Sequence, residues 1–321
     1  MTATRSFTLA LLLAAAALPF GCSKGDDGWP DRPGPKVVAS FPPVASIALA
    51  VAGGDAVVRP VMTTQSPHDA DPKPADLRVV RRADLFLING LGLDDRLTER
   101  VASTAGRDVK VVKLGDAIPP KELLEADHDH GHEGHAHHHG ETDTDPHVWL
   151  GLGHAKTFAA KTAAELAALD PAHAAGYEQR AAAFAATMDK LKADGTATLK
   201  DKKDRKFLPF HGSMAYFAES FGLTMVDPIQ TVPGQEPSPK KLDEIVKACL
   251  DERVRVIAVE PQFSAQSSAK RILDELHRRG VPDAVMVELD PLETCPAAEL
   301  NAEWYEAKMR ANVAALAGAL K

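Results

Sequence analysis

Cysteine is nearly absent: three in 321 residues, too few for a disulfide scaffold or for an all-thiolate zinc site, which takes four. Aromatic residues make up only 5%, and there is no basic excess, since 37 Lys and Arg face 45 Asp and Glu. The net charge of −8, counted with neutral histidine, excludes an ordinary nucleic-acid binder, whose affinity comes from cationic side chains on phosphates. No apolar run is long enough to span a membrane; Phe7–Phe20 falls short of the roughly 20 residues required. HExxH, a nucleophile elbow and a phosphate-binding glycine loop are also missing, which leaves a hydrolase without its usual signatures. What the chain does have is 45% hydrophobic residues, enough for a sizeable core, and 13 histidines.

Residues 1–21, with Arg5 ahead of the apolar run, read as a secretory signal peptide. Cys22 follows Gly21 with Leu18 upstream, so it is the expected point of lipidation, although Pro19 and Phe20 fit such a processing site poorly. Residues 22–35, which include GDDGWPDRPGP, read as a flexible tether. Export would place Cys249 and Cys295 in an oxidising compartment; the sequence leaves open whether they pair.

Beyond the tether, short β-branched runs alternate with helix-compatible stretches. Strands are expected at Lys36–Ser40, Ala56–Met62, Leu85–Asn89 and Val109–Leu114, and again at Phe207–Phe210, Leu223–Pro228, Arg255–Glu260 and Ala284–Leu289. Four strands alternating with helices, twice over, predict an α/β protein of two lobes, each with a mainly parallel four-stranded sheet and flanking helices. The N-terminal lobe is placed at residues 36–153, a helical connection at 154–205 and the C-terminal lobe at 206–321. Within the connection, Asp170-Pro171 interrupts one helix, and Tyr177, Ala181, Phe184, Met188 and Leu191 form a single stripe along the next.

The histidines divide by position. Seven (His128, His130, His132, His135, His137, His138 and His139) fall in the hydrophilic stretch 127–145, which has no apolar face to bury and reads as a solvated loop. Neutral imidazole is a common metal ligand, so this tract is a candidate for weak auxiliary metal binding, set against an inert hydrophilic insertion. His154, His173 and His277 fall in helical runs or at a helix start and read as ordinary residues. His68, His147 and His211 instead follow expected strands, at the edge where open α/β sheets place ligands. Glu260 and Asp290 end the seventh and eighth strands at the same edge. Either is a solvated strand-end carboxylate or completes a four-ligand site; three imidazoles and one carboxylate suit Zn(II).

At these residues the chain resembles the zinc-receptor type of the cluster A-I metal-binding subunits of bacterial ABC importers. The resemblance spans about residues 36–320 and rests on FPPVASIA, PHDADPKPAD, LFLINGLGLD, DPHVWL, FHGSMAYFAESFGL, EPSPKKL, VEPQFS and LDPL, taken in order. It implies two lobes joined by a long rigid helix at about 172–199, with a metal bound between them by His68, His147 and His211. Asp290 matches the position that often supplies a carboxylate ligand, a place that water could also fill. Where some zinc members carry a Glu before the first histidine, this chain has Pro67. His211, in place of the Glu of manganese-type relatives, favours zinc. Glu260 is expected to support an imidazole from behind and fix its tautomer.

The function so implied is capture of Zn(II) by a periplasmic or lipid-anchored receptor, expected to be monomeric. It would deliver the ion to an ABC permease and, through that, to the permease's ATPase. No nucleic acid is involved, and the membrane is reached only through the lipid. The alternatives are a periplasmic zinc chaperone or adhesin of the same fold, or a zinc hydrolase with Glu260 as base.

Overall fold

The computed structural model describes residues 29–126 and 144–321, apart from 70–71, 73, 106–108, 232–233 and 262–267. The signal peptide, Cys22 and the histidine-rich tract therefore lie outside the described residues.

The N-terminal lobe runs β1 (Lys36–Ala39), α1 (Pro42–Ala52), β2 (Val57–Pro60), α2 (Pro74–Val80), β3 (Leu85–Ile88), α3 (Asp95–Ala105) and β4 (Lys110–Lys113). All its strand pairs are parallel, in the order β2-β1-β3-β4. The central strand LFLI is buried at every position, as expected where helices cover both faces of a sheet. The edge strand β4 is mostly exposed and carries Lys110 and Lys113, charges that discourage edge-to-edge pairing.

Two helices follow, α4 (Leu152–Leu169) and α5 (Ala174–Leu199). The C-terminal lobe then repeats the first: β5 (Lys206–Leu208), α6 (Ala215–Phe221), β6 (Thr224–Met225), α7 (Pro239–Asp251), β7 (Val256–Val259), α8 (Ser268–Arg278), β8 (Val285–Glu288) and α9 (Trp304–Ala319). Its parallel order is β6-β5-β7-β8, so each lobe reverses strand order between its two central strands. Ser238 starts α7 by accepting the Lys241 N–H at 3.2 Å, with Pro239 in the first turn, where its missing N–H costs nothing.

Helix α5 is the spine. Its predicted stripe is buried and continues through Gly195 to Leu199. At one end Arg180 donates to the Val51 and Ala52 carbonyls that close α1, at 2.7 and 3.0 Å, and pairs with Asp55 at 2.7 Å. At the other end Asp194 meets Arg310 of α9 at 3.1 Å, and Gly195 faces Phe221 of α6. One apolar cluster runs without a break from Trp29 through the N-terminal sheet and the spine to Tyr305 and Leu320. A smaller cluster around Ile245, Ile257 and Ile272 fills the outer part of the C-terminal lobe. The lobes thus share a core, and a large apolar contact of this kind opposes free rotation between them.

One expectation needs amending, and one open question is answered. Residues 29–35, assigned to the tether by their Gly and Pro, are anchored at points: Trp29 is buried and donates to the Val79 carbonyl at 3.1 Å, Arg32 donates to the Ala56 carbonyl, and Pro35 is buried, while 30–34 stay exposed. The large apolar area of one indole outweighs the turn-forming neighbours. Cys249 and Cys295, whose pairing was open, are free thiols buried in different clusters. No helix among the described residues is long and apolar enough to cross a membrane.

A Cβ on Gly195 would sit 2.4 Å from Phe221 Cε1. Overpacking costs about 1–3 kcal/mol, more than the roughly 1 kcal/mol that alanine adds to a helix interior over glycine. Gly195→Ala is therefore expected to destabilise the protein by up to about 2 kcal/mol, read as a lower urea midpoint of the metal-free form.

Candidate metal centre

Four loops converge where the lobes meet. His68 lies in a single turn (Pro67–Asp69) after β2, and His147 precedes the short turn Val148–Leu150. His211 lies three residues past the end of β5, and Glu293 sits in the loop between β8 and α9. His147, His211 and Glu293 are buried and His68 is half-buried. His68 Nε2 lies 3.0 Å from His147 Nε2, and Glu293 Oε1 lies 3.5, 3.9 and 3.5 Å from the Nε2 atoms of His68, His147 and His211. Ligands of a tetrahedral ion bonded at about 2.0–2.2 Å stand about 3.3–3.6 Å apart, so the spacing suits one small divalent ion. Among the described residues, the buried His211 Nε2 and Glu293 Oε1 have no hydrogen-bond partner of acceptable geometry. Two buried polar atoms left facing each other are relieved by a proton on His211 or by a cation between them.

The atoms behind the imidazoles set their tautomers. Asp145 Oδ1 accepts from His147 Nδ1 at 2.7 Å and from its backbone N–H at 2.9 Å. Glu260 Oε1 takes the same place behind His211 Nδ1. With Nδ1 donating to a carboxylate, each Nε2 points into the cluster and offers its lone pair to an ion, His211 once its proton is displaced. The backbone around His147 is tied down as well. Asn89 donates to the Pro146 carbonyl at 3.0 Å, Tyr216 of the opposite lobe donates to the Asp145 carbonyl at 3.0 Å, and Trp149 Nε1 donates to the Pro291 carbonyl at 2.9 Å.

The three histidines singled out in the sequence come together, and Glu260 stands behind one of them. Asp290 does not join the cluster. Its carboxylate accepts the Leu292 N–H at 2.8 Å and pairs with Lys308 at 2.8 Å. Leu292 adopts the left-handed conformation (φ 66°), which turns the chain so that Glu293, three residues past Asp290, enters the cleft instead. The signal was present in LDPLET, where a second carboxylate follows an Asp-Pro turn; Asp145, two residues before His147, was equally visible. Of the remaining histidines, His173 bonds Asp170 at 2.7 Å and His277 bonds the Ala284 carbonyl at 2.9 Å, while His154 is buried against Tyr216.

Charge in the cluster is unevenly shared. Burial lowers the pKa of His147 from its usual value despite Asp145, so its imidazole is neutral. For His211, burial also opposes the charge, but Glu260 and Glu293 outweigh it and push the pKa up to about 10. Burial would raise the pKa of Glu293, yet its contacts with His211 and His68 hold it well below the usual carboxylate range.

The sequence matches the family described as zinc-uptake complex component A, periplasmic (ZnuA), over residues 37–319. The chain belongs to this family. It is 34% identical over 312 residues to the high-affinity zinc uptake system protein ZnuA of Brucella abortus, covering 87% of this chain and 91% of that protein. It is 27% identical over 291 residues to the zinc-binding protein AdcA of Streptococcus pyogenes, covering 88% of this chain but only 55% of AdcA. The chain thus spans about half the length of that relative. Among solved structures, the laminin-binding protein Lmb of Streptococcus agalactiae, described as having adhesin and metal-transporting activity, superposes with a TM-score of 0.74 at 27% identity. That match covers 90% of this chain and 100% of Lmb. The family inferred from the motifs, and the two-lobe fold it implies, are those found.

Two outcomes follow for this ZnuA-family chain. Glu293→Gln is expected to weaken zinc binding at least about 100-fold and Asp290→Asn by less than about tenfold, compared by competition with a chelator of known affinity. In the metal-free protein His211 holds a proton at neutral pH, and an incoming ion must displace it. Affinity should therefore rise with pH from about 6.5 towards 10, by about tenfold per pH unit for one proton released. Calorimetry in buffers of different ionisation enthalpy counts that proton.

Proposed function

We propose that this protein is the extracytoplasmic receptor of a zinc importer: it captures Zn(II) between its lobes and hands it to an ABC-type permease coupled to an ATPase. One observation carries the reading, the meeting of three Nε2 atoms and one carboxylate oxygen from loops of both lobes. His68, His147, His211 and Glu293 are the ligands, with Asp145 and Glu260 orienting two of the imidazoles. Imidazole nitrogen is a better donor for zinc than for manganese, which prefers oxygen. ZnuA of Brucella abortus and AdcA, the relatives described above, are described as a zinc uptake protein and a zinc-binding protein, which supports the same ion here.

The donor set argues against hydrolysis. A catalytic zinc keeps a position open for water, whereas here four protein groups are available and Glu260, the only base proposed for such a water, is taken up behind His211. A family described as periplasmic supports export by way of the signal sequence, with Cys22 as the site of a lipid anchor. The continuous core and the spine α5 support release by small loop shifts rather than wide hinge opening. The seven histidines of the tract act as a weak collector separate from the tight site.

Protein purified without a tag should carry one zinc per chain and retain it in competition with Mn(II). Deleting residues 127–140 should leave that tight site and remove only weaker ones. Calorimetry showing loss of the tight site in the deletion, or preferential loading with manganese, would overturn the assignment.

A further inference from the structure

Glu293 carries one free oxygen and one bound oxygen, and the difference is made by Ser66. Oε1 is the atom that faces the three imidazoles. Oε2 instead meets Ser66 Oγ at 2.8 Å. The direction of that bond is fixed: Ser66 Oγ already accepts the backbone N–H of His68 at 3.4 Å, so its own proton is directed to Oε2. A single hydroxyl therefore touches the backbone of one ligand and the spare oxygen of another, and it joins the loop after β2 to the loop after β8 across the cleft. The neighbouring bond from Cys295 N–H to the Thr63 carbonyl, at 2.6 Å, holds the same two loops in register.

The geometry points to Ser66 as a specificity-determining residue of this site, one that holds Glu293 to a single coordinating oxygen and so keeps the ion four-coordinate. This rests on the zinc-receptor reading above and adds a cause for the choice of ion. A carboxylate free to swing can chelate through both oxygens and raise the coordination number to five or more. Zn(II) is satisfied by four N/O ligands in a tetrahedron. Mn(II) favours more oxygen donors and a higher coordination number, which a bidentate Glu293 would help to supply. Tying Oε2 to the Ser66 hydroxyl removes that option without placing any repulsive group in the cleft. Ser66 is a positioning residue: it touches the ligand and not the ion.

The test compares the full-length chain with Ser66→Ala and Ser66→Thr. Each protein is titrated with Zn(II) and Mn(II) by chelator competition and loaded with Co(II), whose visible bands are intense in four-coordinate sites and weak in higher-coordinate ones. Ser66→Ala should lose about tenfold in zinc affinity, as removal of a group supporting a ligand usually costs 10–100-fold. Its manganese affinity should hold or rise, and its Co(II) bands should weaken. Ser66→Thr keeps the hydroxyl and should retain both the wild-type spectrum and the wild-type zinc-to-manganese ratio. Unchanged Co(II) bands in Ser66→Ala, equal weakening for both metals, or a Ser66→Thr protein that behaves like Ser66→Ala would each overturn the role of Ser66. Failure of the wild-type chain to load zinc at all would instead overturn the receptor reading on which it rests.

Discussion

Two buried imidazoles, a half-buried third and three buried carboxylates gather around one point, and a buried charge left there unpaired would cost several kcal/mol. The pairing of carboxylate to imidazole makes the arrangement tolerable. Asp145 sits behind His147 and Glu260 behind His211, while Glu293 faces all three rings. Without these bonds the rings would be free to turn, the Nε2 lone pairs would not converge, and the loops that carry them would have less reason to pack. Within the cluster, the same bonds leave His211 Nε2 and Glu293 Oε1 without a partner, and both are aimed at the point where a cation can relieve them.

The loops are held to this geometry from below. The spine α5 is clamped to the end of α1 by Arg180 and to α9 by the Asp194–Arg310 pair, and the apolar cluster passes beneath both lobes. Cross-lobe bonds near the ligands add to this. Trp149 reaches the Pro291 carbonyl, and the Tyr305 hydroxyl reaches the Trp149 carbonyl at 2.5 Å. A packed core of this density moves between discrete arrangements rather than bending smoothly. The four converging loops are therefore held on a single packed frame shared by both lobes.

Much of this was legible in the sequence because it is periodic or positional. Alternating β-branched runs gave the eight strands, and the stripe from Tyr177 to Leu191 gave the spine. His68, His147 and His211 stood out by following strands. Reading failed where a single contact decides between neighbours. Asp290 and Glu293 are three residues apart and chemically alike, and only the left-handed Leu292 and the distant Lys308 determine which one enters the cleft. Trp29 lay in a stretch whose composition spoke for a tether, and its docking depends on a carbonyl fifty residues away. Tyr216 carried no local mark at all, because its role is a hydroxyl shared between the Leu124 N–H and the Asp145 carbonyl. Propensity is written locally; partnership across the fold is not.

The two described cysteines have a consequence for the kind of ion the molecule can hold. Burial pushes the thiol pKa of Cys249 up to about 12 and that of Cys295 up to about 11, and each sits in a different apolar cluster. Neither is a thiolate near neutral pH, and although Cys295 lies in the same loop as Glu293, its thiol is not among the atoms that cluster with the three imidazoles. The thiols of the described chain are thus buried outside the cluster, and the cluster itself presents nitrogen and oxygen. Such a donor set discriminates by hardness as well as by geometry: a thiophilic ion such as Cu(I) finds no sulfur to bind there. Among the described residues no disulfide has to form before the ligands can assemble.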